Sequence, residues 1–137
     1  MTEPATGGCQ CGGVRYEVTE APIALYACHC RECQKQSGSA FGLSLIVPRG
    51  ALRVTRGETK TWTRPTDSGG TLHCHFCPDC GSRLWHAAPA RPDQVSLKAG
   101  SLDAPVDVAN AVHIWVTRKL PGVVLPADAE TFPEEPD

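Results

Sequence analysis

CPDCG, residues 77–81, is the stretch on which the fold depends. Two cysteines with two residues between them, a proline after the first and a glycine after the second make a metal-binding knuckle. Backbone N–H groups inside such a turn bond to the sulfurs, the proline stiffens it, and Gly81 admits a left-handed backbone. One knuckle supplies two thiolates, whereas a structural tetrahedral zinc takes four ligands. CQCGG, residues 9–13, places Cys9 and Cys11 before similar glycines and is the natural partner of Cys77 and Cys80. A site built from these four closes a long loop and couples folding to metal.

Between the two halves of that site lies ACHCRECQKQSG, residues 27–38, with Cys28, Cys30 and Cys33. Three thiolates have no obvious fourth here. Three protein ligands and one exchangeable position are the pattern of catalytic zinc. Four thiolates on Zn2+ leave a closed shell, but three leave a place for a substrate sulfur, whose pKa the metal lowers. The spacing therefore points to thiol activation rather than water activation. A closed site remains the alternative, and Cys74 is its obvious fourth ligand. If TLHCHF, residues 71–76, is a strand, Leu72, Cys74 and Phe76 share a face, which makes Cys74 a buried small hydrophobe.

The eighth cysteine aside, every cysteine falls in one of these clusters. Neighbours this close do not form disulfides with one another easily, but they share a metal readily. The length, 137 residues, suits one domain, and Gly 13 with Pro 12 implies many turns and little helix. A net charge of -2 argues against a general nucleic-acid partner. No apolar run approaches a membrane span. MTEPATGG at the start has neither a basic nor an apolar leader segment, so a reducing, cytoplasmic setting is expected.

Short strands are expected over VRYEVTE (residues 14–20), PIALYACHC (22–30), AFGLSLIV (40–47), TLHCHF, SRLWHA (82–87), QVSLKAG (94–100) and NAVHIWV (110–116). CRECQKQSG (30–38) reads as one or two helical turns stopped by Gly38. ALRVTRG (51–57) and ETKTWTR (58–64) read as a hairpin or as two edge strands. Their basic side chains, with Arg49, make either a solvated face or an electropositive rim for a carboxylate-bearing substrate. Ser37 and Ser39 are candidate donors to such a ligand, or simple loop-formers. His29, set between two ligands, should point away from the metal, either exposed or hydrogen-bonded behind a ligand. His73, His75 and His86 suit surface or satisfied interior roles, and His113 suits the core. Residues 1–120 make the zinc-binding β domain, and residues 121–137 a Pro/Glu-rich extended tail.

GGCQCGGVRYEV, CHCRECQKQSGSAF and HFCPDCGSRLW resemble, in order and spacing, the signature blocks of the glutathione-dependent formaldehyde-activating enzyme family. VSLKAGSLD and HIWV resemble its later segments. The resemblance implies a mainly β, Mss4-like fold of short antiparallel strands with two zinc sites. It implies Cys9, Cys11, Cys77 and Cys80 as structural zinc ligands, and Cys28, Cys30 and Cys33 as holders of a catalytic zinc. The implied reaction is carbon–sulfur bond chemistry, the addition of a glutathione thiolate to formaldehyde. Two other functions fit the same cysteines. One is a non-catalytic zinc module that binds a protein through the basic strands and Trp62. The other is a thiol-redox or metal sensor with Cys74 as resolving thiol.

Overall fold

The computed structural model describes residues 3–136. The opening residues of MTEPATGG and the last residue of the tail, at positions 1, 2 and 137, lie outside the described residues.

Alternation of apolar and polar residues produces ten short strands and one helix. They are β1 (Ala5–Gly8), β2 (Arg15–Val18), β3 (Ala24–Cys28), α1 (Arg31–Ser37), β4 (Gly42–Pro48), β5 (Leu52–Arg56), β6 (Lys60–Pro65), β7 (Thr71–Phe76), β8 (Arg83–Ala87), β9 (Gln94–Lys98) and β10 (Val112–Ile114). A three-stranded sheet has the order β1-β2-β5, and a seven-stranded sheet has the order β10-β3-β4-β9-β8-β7-β6. All pairings are antiparallel except β10 with β3. The mainly β expectation holds, and the cysteine clusters are consistent with an Mss4-like arrangement. β5 and β6, left open as hairpin or edge strands, are edges of two different sheets.

The core lies between the sheets. Tyr16 and Val18 of β2 meet Val47 of β4, Leu84 and Trp85 of β8, and Val95 and Leu97 of β9. The Tyr16 hydroxyl has Ser101 Oγ as its partner at 2.6 Å, so the ring's polar end is satisfied inside the core. Truncating a side chain such as Leu97, which is 0% exposed, costs about 2–5 kcal/mol.

Strand alternation then sends the even-numbered side chains of β9 to the opposite face. Register aligns Ala24, Ile46, Ser96, His86, Cys74 and Trp62 in one row across β3, β4, β9, β8, β7 and β6. Tyr26, Ser44 and Lys98 form the next row. This polar face carries the candidate site.

The tail runs back along β10. The His113 N–H donates to the Glu130 carbonyl, and the Phe132 N–H donates to the His113 carbonyl at 2.8 Å. Trp115 anchors it further: its N–H donates to the Glu134 carbonyl and its indole Nε1–H to Glu135 Oε1 at 2.7 Å. Among the described residues no helix is long and apolar enough to cross a membrane.

Candidate functional site

Two turns build the first cysteine cluster. Cys9 and Cys11 follow β1, and Cys77 and Cys80 sit in the turn from β7 to β8. Gly12 (φ 79) and Gly81 (φ 80) take the left-handed backbone that each turn needs. The four sulfurs all lie within 4.8 Å of one another. Cys9 and Cys11 Sγ are 3.6 Å apart, and Cys11 and Cys77 Sγ 3.7 Å. A tetrahedron of 2.3 Å zinc–sulfur bonds has edges of about 3.8 Å, so the donor set fits that ion. Backbone N–H groups support the charge: Val14 donates to Cys9 Sγ at 3.2 Å, Gly13 to Cys11 Sγ at 3.4 Å, and Asp79 to Cys77 Sγ at 3.4 Å. The Ser82 hydroxyl and N–H draw the Cys80 thiol down to about 5. The Gly13 N–H favours the Cys11 thiolate, but the neighbouring sulfurs outweigh it and push that thiol up to about 12.

The second cluster forms where β3 runs into α1. Cys28 ends the strand, Cys30 is the N-cap of the helix, and Cys33 lies in its first turn, donating its N–H to Cys30 Sγ at 3.3 Å. Gly38 (φ 61) ends the helix, as its position in the sequence predicts. The three sulfurs lie within 4.8 Å of one another, and among the described residues no fourth Cys, His, Asp or Glu donor joins them. Hydrogen bonds from Cys28 and then Cys33 draw Cys30 down to about 2, while the same contacts, with burial, push Cys28 up. Filling the cluster with metal requires its remaining thiol protons to leave.

Cys74 is 0% exposed and makes only a long S–H contact to the Leu72 carbonyl, at 3.9 Å. It belongs to neither cluster, so the buried reading describes it and the fourth-ligand reading does not. His29 points away from the sulfurs, but it is fully buried rather than exposed, with its Nε2 2.9 Å from Nδ1 of the buried His113. Gln34 holds this corner, donating from Nε2 to the His29 carbonyl at 2.8 Å and the Arg118 carbonyl at 3.0 Å.

Cys28 and Cys33 open onto a groove of about 710 Å³ on the polar face of the large sheet. Lys98 stands in its floor, donating to Ser44 Oγ at 3.1 Å and Ser96 Oγ at 3.4 Å. Burial lowers its pKa, and the neighbouring Cys33 and Cys28 oppose that shift without reversing it. Further along, Arg83 Nη1 donates to His86 Nε2 at 3.1 Å, and its guanidinium lies 5.5 Å from the Trp62 ring centroid. Burial, then the charges of Lys98, Arg83 and Arg64, push the His86 imidazole down to about 2, so it is neutral and accepts at Nε2.

Of the basic residues singled out in the sequence, Arg64 reaches this groove, whereas Arg53 is paired 2.8 Å from Glu17 on the small sheet. Ser37 donates back to the Cys33 carbonyl at 2.7 Å, the work of a helix-end residue. Ser37 and Ser39 line a second hollow, which shares Arg83 and Lys98 with the groove. Lys98 and Arg83 escaped the sequence reading. The alternation of QVSLK already set Lys98 opposite the core residues Val95 and Leu97.

The chain is similar to known proteins. A Penicillium rubens protein, named provisionally as a glutathione-dependent formaldehyde-activating enzyme, is 38% identical over 79 residues, 56% of this chain and 40% of that protein. An Emericella nidulans protein of the same provisional name is 32% identical over 79 residues, 56% of this chain and 39% of its own length. The match thus spans about 40% of the length of these relatives. A Rhodobacter sphaeroides protein of known crystal structure has a like fold, with a TM-score of 0.57 at 20% identity over 93% of this chain and 98% of that one. The sequence profile of the glutathione-dependent formaldehyde-activating enzymes matches residues 4–118, and the chain belongs to that family.

Proposed function

We propose that the protein is a zinc-dependent carbon–sulfur lyase or synthase that adds a small thiol such as glutathione to formaldehyde or a related electrophile. One observation carries this reading: three thiols gathered without a fourth donor, two of which open onto a groove. In the reaction a bond forms between the thiol sulfur and the carbonyl carbon. The carbonyl π pair moves to oxygen, and the proton lost by the thiol ends on that oxygen. Zinc bound by Cys28, Cys30 and Cys33 would supply the Lewis acidity that ionises a thiol near neutral pH. Zinc at Cys9, Cys11, Cys77 and Cys80 would have a closed shell and a structural role.

The chain's own residues prepare the second site in three ways. Gly42 lets Cys33 lie against β4: a Cβ there would stand 3.2 Å from Cys33 Cβ and 2.8 Å from Gln36 Nε2. The Cys33 N–H stabilises charge on Cys30. Lys98, fixed by Ser44 and Ser96, provides a positive charge beside the thiolates. All eight cysteines are free thiols, a state suited to a reducing, cytoplasmic compartment.

The test is native mass spectrometry of the purified protein, counting zinc before and after glutathione is added. Two zincs, one of which gains or yields to glutathione, is the expected result. Two zincs indifferent to the thiol would mean two closed sites, and would favour a binding module instead.

A further inference from the structure

The groove holds an excess of positive charge. Lys98, Arg83 and Arg64 all bear on the buried His86 ring. Lys98 is held by hydrogen bonds to Ser44 and Ser96, and Arg64 lies 3.9 Å from Glu32. Among the described residues Arg83 makes no ion pair. Its guanidinium is nevertheless held in place, by the hydrogen bond to His86 Nε2 on one side and the Trp62 ring on the other. The neutral imidazole takes one N–H and leaves the rest of the planar donor fork to a ligand. A guanidinium oriented by neutral partners, with no acid paired to it among the described residues, is suited to receive a carboxylate.

Position sets the size of that ligand. Cys28 is on β3 and His86 on β8, with β4 and β9 between them. Three inter-strand steps of about 4.8 Å and an offset of four residues along the strands separate their backbones, about 20 Å in all. An extended tripeptide reaches about 10 Å, and the Cys28 and Arg83 side chains, both lining the groove, reach toward it from either end.

We propose that Arg83, set by Trp62 and His86, is a carboxylate-binding residue of the groove, so that its ligand is an anionic, tripeptide-sized thiol lying across β9 with its sulfur toward Cys28 and Cys33. This rests on the reading of the groove as the thiol site. The position of the carboxylate, rather than the sulfur, then determines which thiols are accepted.

S-methylglutathione keeps both carboxylates but has no free thiol, so it tests the anchor independently of the metal. Its affinity for the zinc-loaded protein is measured by calorimetry against Arg83→Gln, Arg83→Lys and Arg64→Gln, after zinc count and melting temperature confirm that each variant is folded. Arg83→Gln should weaken binding about tenfold or more, the size of a lost charge-assisted contact. Arg83→Lys should retain part of the affinity. Raising the ionic strength from about 0.1 M to 1 M should weaken the wild type more than Arg83→Gln. The diester of S-methylglutathione should bind weakly and ignore the substitution. Binding by Arg83→Gln within twofold of wild type, or a diester as tight as the free acid, overturns the proposal. A parallel titration of cobalt-loaded protein with 2-mercaptoethanol, a neutral thiol, reports on the metal site alone. A cobalt response with no effect of Arg83→Gln keeps the thiol site and removes the anchor. A silent cobalt spectrum with strong dependence on Arg83 keeps the anchor and removes the thiol reading.

Discussion

With a metal bound, the first cysteine cluster would act as a cross-link, and its contribution would follow from the loop it closes. Cys11 and Cys77 are 66 residues apart in sequence. The chain-entropy expression for a cross-link of that span gives about 15 cal/mol/K, or about 4 kcal/mol at 25 °C. Stabilities of ordinary domains are about 5–15 kcal/mol, so this single knot supplies a large share. The informative perturbation is the double variant Cys11→Ser, Cys80→Ser. Both residues are exposed, so their removal leaves no core cavity, whereas Cys9 and Cys77 are buried. Urea unfolding followed by circular dichroism, with zinc counted in parallel, should show one metal lost and about 4 kcal/mol of stability gone. With a slope of about 2 kcal/mol/M the midpoint falls by about 2 M. Wild-type protein in chelator should lose at least as much. A double variant within about 1 kcal/mol of wild type would refute the argument, because the knot would then not constrain the chain.

The remaining expectations concern single residues. Cys74→Ala should leave two metals per chain and cost about 1 kcal/mol of packing; loss of a metal would make Cys74 a ligand after all. Gly42→Ala drives a methyl against Cys33 and Gln36, so the cobalt spectrum of the second cluster should change while the first stays filled, and an unaltered spectrum would contradict the contact. Lys98→Met should speed chelator removal of one metal and not the other, because the buried thiolates lose their counter-charge; equal rates for both metals would count against that pairing. The pH dependence of His86 has a definite sign. Its folded pKa, about 2, lies below the ordinary imidazole value of 6.5, so unfolded chains bind the extra proton and stability falls as pH drops below about 6.5. The slope approaches about 1.4 kcal/mol per pH unit, and a His86→Gln variant with an identical slope would remove His86 as the cause.

The cysteine partition was legible because metal ligation is local. A C-x-x-C turn and a strand running into a helix cap place sulfurs within a few residues; only the meeting of Cys9 and Cys11 with Cys77 and Cys80 is long-range, and the need for four ligands pointed to it. The strands were legible from alternation, as in VRYEVTE and QVSLK. Sheet membership was not. ALRVTRG and ETKTWTR adjoin in sequence, yet Leu52 pairs with Val18 and Trp62 pairs with Cys74, a choice set by which faces meet the core. The burial of His29 was hidden for the same reason: its cover comes from β10, more than eighty residues away. Arg83 was invisible as a site residue because Trp62, His86 and Lys98 meet it only after β6, β8 and β9 are assembled.

The surroundings of the two clusters differ in a way that bears on their roles. The first faces water through Cys11 and Cys80, so solvent screens whatever charge it carries. It needs backbone N–H groups and little else, which suits a site whose task ends once the loop is closed. The second is set into a groove, where charge is screened less, and the fold places a lysine there whose own burial is unfavourable. A protein that needed only a second staple would gain nothing from a buried lysine beside it and a guanidinium without an ion pair among the described residues. These features stand in front of Cys28 and Cys33, and in the proposed reaction the incoming ligand, rather than a fourth residue of the chain, would complete the site.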